Sequence, residues 1–560
     1  MSDKRNLLLA VVLTIAILFG WPYISNHFFP VANQPAPVVA GAPAGSAAPV
    51  EKAPEAIRET AVVLKESPRL AIETPKLKGS INLKGARIDD IVLPQQKETI
   101  AKDSPPVRLF SPSGTKDAYF ASFSWIGQGA TLPDANSLWT ADGATLTPDT
   151  PVRLHWDNGA GQRFVIALSI DKDYMLTVAQ TVENRSANSI VVQPYGLLSH
   201  LGVARTPSTW TIHTGPVGVF NDKANYSVDF KDLDKEGAQR FQTTGGWLGF
   251  TDLYWHAALI PAQSSPIEAQ FRAGADKRYQ ADITYAPVTL APGKSATTAS
   301  RLFVGAKETR VLEAYTDNAG VMLFDRAIDW GWFYFLTKPI FKLLDTFYQW
   351  FGNFGVAIMA LTVLIKLIFF PLANKSYAAM SRMKALQPEM LRIRQQYKDD
   401  KVRQQQEMMT LYKTEKVNPV AGCLPMLVQI PVFFALYKTL FVTIEMRHQP
   451  FFGWIHDLAA PDPTNLFTLF GLIPWDPPAM LHLGLWAIVM GITMFLQQKL
   501  NPAPQDPMQQ RVFMLMPIFF TFLLASFPAG LVIYWTWNNT LSIAQQWLIM
   551  RRHQPTPKRA

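Results

Sequence analysis

Lys366 is the residue in this chain with the most chemical potential, because it is charged and lies inside an apolar run. From Phe354 to Leu372 only Thr362 and Lys366 are polar. A charge in such a run is costly in hydrocarbon and is usually kept facing protein or water. Thr362 lies one helical turn away on the same face. Snorkelling is the other reading: Lys366 lies about eight residues, roughly 12 Å, from the cytoplasmic end of the run, and its long stem could partly reach the headgroups. More polar side chains interrupt later apolar runs, namely Gln429, Gln497, Gln498, Asn538, Ser542, Gln545 and Gln546. Asn538, Ser542 and Gln545 share one helical face. They read either as the wall of a wet groove or as hydrogen-bonding glue between helices. Lys438 reads as a snorkelling lysine near a helix end.

Other candidates for chemistry fall away. Gly293, Lys294 and Ser295 copy the end of a phosphate-binding loop, but Val288 stands where its first glycine is needed. His155, His200, His213 and His256 have no partnered nucleophile or carboxylate at recognisable spacing, and His456 beside Asp457 reads as a loop pair. One cysteine, Cys423, closes neither a disulfide nor a Cys-based zinc site. No ATP site, metal site or cofactor motif is apparent, and nothing points to an enzyme.

The elements that position Lys366 follow from composition. Hydrophobic residues make up 48% of the 560, charged ones 17%, and the excess of 52 Lys and Arg over 43 Asp and Glu gathers beside the apolar runs. That distribution suits membrane orientation rather than sequence-specific nucleic-acid binding. Residues 1–29 predict an uncleaved transmembrane anchor with a cytoplasmic N-terminus, and 30–60 a Pro- and Ala-rich linker. Residues 61–320 alternate, as in Phe164, Ile166, Leu168 and Ile170, between turn residues; this predicts an all-β sandwich in the periplasm, ending with a short helix from Glu308 to Asp317. The aromatic and charged stretch 321–352 predicts an interfacial helix.

Residues 353–550 then predict five more spans, with helix two over Phe354–Leu372 and a cytoplasmic helical hairpin over 374–418 carrying ten Lys or Arg. Helix three is expected at Pro419–Ile444, an acidic periplasmic segment at Glu445–Met480, and helix four at Leu481–Gln498. Val512–Met550 contains no charge and splits into helices five and six at Phe527–Gly530. A short basic tail, 551–560, ends in the cytoplasm. The fold class is thus a polytopic α-helical membrane protein with six transmembrane helices plus a periplasmic β sandwich.

The helical half resembles the YidC insertase family. The resemblance rests on EMMTLYKTEKVNP from Glu407 to Pro419, on Gly422, Cys423, Pro425, Gln429, Pro431 and Ala435–Tyr437, and on WIHDL (Trp454–Leu458), DPMQQ (Asp506–Gln510) and FPAGLVIYW (Phe527–Trp535). It implies a five-helix core around a hydrophilic groove open to the cytoplasm and lipid. Lys366 falls on the groove's positive residue, where the family more often has arginine, and Thr362, Gln429, Tyr534, Trp535, Asn538 and Ser542 would line the groove. Met380, Met383, Met390, Met408 and Met409 of the hairpin would meet the client. Nascent membrane proteins are the implied partners, with the lipid bilayer, the Sec translocon and the ribosome as further ones; the tail is short for ribosome docking.

The implied activity is insertion of nascent transmembrane segments into the inner membrane. A secondary transporter would show paired broken helices in an internal repeat, which the sequence lacks, and an assembly scaffold would need no polar groove. Loop charge generates a topology test. After replacement of Cys423, cysteines introduced at 390 and 405 should be shielded from an impermeant thiol reagent in intact spheroplasts, and ones at 230 and 465 should label. Labelling at 390 without lysis would reverse the assigned orientation.

Overall fold

The computed structural model describes residues 56–552 apart from 207, 209–211, 332, 416, 418–423, 476, 479–481 and 502–506. The expected anchor 1–29, nearly all of the linker 30–60 and of the tail 551–560, and the motif residues Pro419, Gly422, Cys423 and Asp506 lie outside the described residues. The chain forms a β unit ending at Asp329 and a helical unit beginning at Trp330.

In the β unit the period-two pattern closes two sheets on one another, one of eleven strands and one of nine. Strand Gln162–Ile170 buries Phe164, Ile166, Leu168 and Ile170, the four residues whose alternation marks it in the sequence. It pairs antiparallel with Met175–Asn184, which pairs in turn with Ser295–Ala306. In the other sheet, Tyr119–Gln128 pairs antiparallel with Ile190–Leu201. Between the sheets Gln180 Nε2 donates to the carbonyls of Ser124 at 2.7 Å and Tyr195 at 3.3 Å, so the donor end of this buried amide is satisfied across the sandwich, while its Oε1 has no partner among the described residues. Three helices accompany the strands: α1 (Thr60–Val63), α2 (Phe230–Glu236) and α3 (Thr309–Asp317).

The helical unit contains α4 (Tyr334–Phe351), α5 (Phe354–Ile368), α6 (Phe370–Ala385), α7 (Gln387–Gln396), α8 (Lys401–Thr414), α9 (Leu424–Val442), α10 (Leu485–Leu500), α11 (Pro507–Leu524) and α12 (Ala529–Arg552). Helix α4 begins later than the expected 321–352, because Leu323 and Gly331 take left-handed backbone and interrupt the chain before it. The span expected over Phe354–Leu372 breaks at Phe369, and α5 and α6 meet at 69°. Pro371 at the start of α6 is the cause: it has no N–H to continue the ladder and its ring crowds the preceding turn. Among the described residues no single helix is long and apolar enough to cross a membrane; the bent pair α5–α6 passes together, and Gln429–Val442, Leu485–Leu500 and Gln510–Leu524 are shorter apolar helices. The stretch 374–418, expected as a hairpin, contains the end of α6 followed by α7 and α8, which turn at 397–400 and are joined by Gln404 Nε2 to the Arg394 carbonyl at 3.0 Å.

Helix α12 packs against α5, α6, α9 and α10. Its first amides are satisfied by the segment between α9 and α10: Ala529 N–H donates to the Ala460 carbonyl at 2.8 Å and Gly530 N–H to that of Leu458 at 3.0 Å. Asp462 serves α10 the same way, accepting from the Trp486 amide at 2.9 Å. Asp457 accepts from the amides of His448 and Ala459, so its histidine neighbour in space is His448 rather than the expected His456.

Two buried groups in the β unit oppose each other in acid. His256 is enclosed by Trp247, Phe303 and Phe324, and burial beside the Lys307 ammonium pushes its pKa down to about 3. Burial pushes the Asp282 carboxyl up to about 6 despite Arg272 Nε at 3.1 Å. Below pH 6.5 the unfolded chain protonates at His256 and the native one does not, so this group lowers stability as pH falls, by up to about 1.4 kcal/mol per pH unit. Asp282 has the opposite sign: between pH 6 and about 4 the native state holds the extra proton and gains stability. His256→Gln should therefore flatten or invert the acid loss of β-unit stability between pH 6.5 and 4, and Asp282→Asn should steepen it. Melting temperatures at pH 7, 5.5 and 4.5 measure both slopes; parallel slopes in all three proteins would refute the assignment.

Candidate functional site

Lys366 sits in the last turn of α5, three residues before the Phe369 break, and its Nζ donates to Ser542 Oγ of α12 at 2.6 Å. Ser542 passes the interaction on, donating to the Asn538 carbonyl at 2.8 Å, and Tyr377 of α6 shares a hydrogen bond with the same hydroxyl. Asn538 thus contributes its backbone carbonyl to this chain of bonds. Among the described residues no carboxylate pairs with Lys366, which leaves the ammonium held by a neutral hydroxyl and without a countercharge. Thr362 is buried one turn earlier and bonds back to the Ile358 carbonyl at 2.7 Å, so its hydroxyl is spent on its own helix.

One level away, Gln429 Nε2 of α9 donates to the Tyr534 hydroxyl of α12. Trp535 stands beside it between Phe433, with ring centroids 4.8 Å apart, and Phe520 at 6.1 Å. Two further polar residues of α12 face α10: Asn539 Nδ2 donates to Thr493 Oγ1 at 3.3 Å and Gln546 Nε2 to Asn501 Oδ1 at 3.1 Å. Gln498 bonds the Phe513 carbonyl of α11. Toward α10 these bonds join helices as interhelical glue, and toward α5 the same helix holds a cation through a hydroxyl. Gln545 Nε2 is buried without a partner among the described residues. Lys438, expected to snorkel, is buried at 7% exposure with its stem against Gly331.

In the hairpin Met390 is buried with Ile393 and belongs to the hairpin's own packing, a correction to its expected place on a client surface. Met409 is 55% exposed, and Met380, Met383 and Met408 are half-buried. Tyr377 and Asn539 were not singled out in the sequence; Asn539 follows Asn538 directly, and the 3.6 period places it toward a different neighbour.

A bundle whose outer surface exposes Ile492, Phe495, Ile518, Phe519, Leu367 and Ile368 while its interior carries an ammonium and hydrogen-bonded amides is the build of a membrane protein; on the same chain it carries a large globular sandwich. Residues 69–343 match the YidC periplasmic domain, and residues 346–556 match the 60Kd inner membrane protein domain. The membrane protein insertase YidC of Methylobacterium nodulans is 50% identical, the alignment covering 99% of this chain and 96% of that one. The insertases of Beijerinckia indica (48%; 98% and 96% covered) and Zymomonas mobilis (47%; 100% and 98% covered) are similarly close. A solved YidC insertase with its first transmembrane domain resolved aligns over 97% of this chain and 99% of that one at 16% identity and TM-score 0.35, too low to carry a structural argument. The chain belongs to the YidC family of membrane protein insertases.

The Gln429–Tyr534 pair gives a stability test. Tyr534 is 3% exposed, so Gln429→Leu strands a buried hydroxyl and should cost about 1–3 kcal/mol. Tyr534→Phe alone should cost less, because the half-buried Gln429 amide can turn to another partner. The double variant should recover part of the Gln429→Leu loss. Thermal unfolding of the three purified variants in detergent measures this, and strictly additive losses would show that the two side chains do not act as a pair.

Proposed function

We propose that the chain inserts nascent transmembrane segments into the bacterial inner membrane by offering their polar flanks a hydrophilic groove part-way across the bilayer. The observation that carries this reading is Lys366, held by Ser542 at 2.6 Å with no carboxylate partner among the described residues. A cation without a countercharge in apolar surroundings attracts an acidic flank far more strongly than it would in water. It shortens the dry path that a polar segment must cross. The client then moves sideways into lipid as its apolar surface is buried.

In this reading the chain spans the membrane six times with both termini cytoplasmic. The segment 1–29 anchors it, 30–60 tethers the periplasmic sandwich 61–320, α4 lies in the outer interface, and 353–550 is the insertase core. Gln429, Tyr534, Trp535 and Asn538 shape the groove around Lys366 and Ser542. The exposed Met409, with Met380, Met383 and Met408, receives the apolar client on the cytoplasmic hairpin, since thioether side chains adapt to varied apolar shapes. The core works alone or beside the Sec translocon, fed by the ribosome.

Charge reversal tests the role of Lys366. Lys366→Arg should retain insertion, and Lys366→Glu should slow insertion of clients with acidic translocated tails by roughly tenfold, the effect of about 1.4 kcal/mol, while neutral-tailed clients suffer less. Matched acidic-tail and neutral-tail clients, assayed with equally abundant variants, supply the comparison. An identical response of the two client sets would reduce Lys366 to an anchor of α5.

A further inference from the structure

A cavity of about 80 Å³ lies at one end of the β sandwich, between strands of the two sheets. Tyr119 and His200 enter it as directly paired neighbours from the eleven-stranded sheet, and Phe250 and His256 from the nine-stranded one. Two of the polar atoms beside it are left open. Among the described residues the Tyr119 hydroxyl is buried without a partner, in a side chain 6% exposed, and so is Nε2 of His256, 1% exposed. The Nδ1 atoms of His256 and His200 lie 3.0 Å from the Phe250 carbonyl and 2.9 Å from the Gly202 carbonyl. A carbonyl only accepts, so each Nδ1 carries the proton and each Nε2 is left as an acceptor. Burial lowers the pKa of both imidazoles, which keeps them neutral at physiological pH.

Unpartnered buried polar atoms are rare in native proteins, and two of them beside one cavity point to an absent occupant. Its chemistry follows from the walls. Two imidazole acceptors and a phenol hydroxyl call for a ligand rich in hydroxyl donors. The Phe230 and Phe250 rings, stacked with centroids 6.1 Å apart, offer apolar surface to C–H groups. An anion is disfavoured by Asp117 and Asp252 in the lining. A cation finds no free buried carboxylate, since Asp252 already accepts from the Arg205, Thr206 and Leu253 amides and Asp117 is exposed. Among the described residues no cluster could hold a metal ion. One water needs roughly 10–15 Å³ of such space, so the cavity takes on the order of six ligand atoms.

We propose that this cavity binds a small neutral polyol of about glycerol size, held by the Tyr119 hydroxyl and the Nε2 atoms of His200 and His256. The site is independent of Lys366 and of insertion through the helical unit.

Saturation-transfer NMR on the full chain, in a detergent without a sugar or polyol headgroup, tests this with glycerol as probe. Glycerol C–H protons should show saturable transfer, competed by propane-1,2-diol and not by pentan-1-ol, which has as many non-hydrogen atoms as glycerol but one hydroxyl. Tyr119→Phe removes an atom that has no protein partner, so the variant should fold with an unchanged or higher melting temperature and bind glycerol at least fivefold more weakly. Absence of saturable transfer in the native protein would overturn the proposal. So would equal affinity in Tyr119→Phe or equal competition by pentan-1-ol, either of which would leave the cavity a site for water or for any small apolar molecule.

Discussion

A polar side chain placed in an apolar bundle is stable when it finds a partner inside the protein, and in this chain α12 supplies a partner to each of its helical neighbours α5, α9 and α10. Without water to compete, a stranded amide, hydroxyl or ammonium costs several times what the same group costs at a surface. Ser542 answers Lys366, Tyr534 answers Gln429, Asn539 answers Thr493, and Gln546 answers Asn501. The register of α12 against α5, α9 and α10 is therefore set by directional bonds on different faces. Apolar packing around Leu436, Leu458, Ile358 and Ile533 fills the space between them. Packing alone tolerates a helix sliding by a turn; four bonds at different heights and azimuths do not.

That register has to be held at its origin, and the segment between α9 and α10 does so. The carbonyls of Leu458 and Ala460 receive the first amides of α12, and Asp462 receives an amide of α10 together with the Trp454 indole at 3.1 Å. The approach is close: a Cβ on Gly530 would lie 3.1 Å from the Leu458 carbonyl oxygen, and one on Gly355 would lie 2.0 Å from the Phe451 ring. The motifs WIHDL and FPAGLVIYW, far apart in sequence, are thus two halves of one junction. Their residue types are explained by backbone satisfaction and by space, without any need for a reacting group.

Much of this was legible in the sequence, for reasons that differ by element. The strand Gln162–Ile170 announces itself because one buried face forces alternation, and α12 because a long uncharged run broken by Phe527–Gly530 leaves little else. Local signals could also have located the Phe369 break, since Pro371 marks it; the apolar run simply continues across the bend and hides it. Met390 looks like Met409 in sequence, and only the packing of α7 on α8 separates the buried one from the exposed one. The pairing of Lys366 with Ser542, and the placement of His200 and His256 from two sheets beside one cavity, span long stretches of chain. No periodicity or spacing encodes them.

The choice of lysine at position 366 fits the geometry that surrounds it. An arginine fork is best used against a planar carboxylate, where two parallel bonds form together. Ser542 is a single oxygen that already donates to the Asn538 carbonyl, so it can take one N–H from a point charge and gains nothing from a second donor held in a plane. The ammonium keeps two further protons, and rotation about its stem can present them to an incoming carboxylate or to a backbone carbonyl of a half-inserted segment. A resident Asp or Glu in place of Ser542 would bind the cation firmly and spend its charge, because breaking a buried ion pair costs several kcal/mol. A neutral hydroxyl holds it in position while leaving that charge to be used. In the proposed mechanism, transient capture followed by release requires this balance, and the Lys366–Ser542–Asn538 chain of bonds suits it.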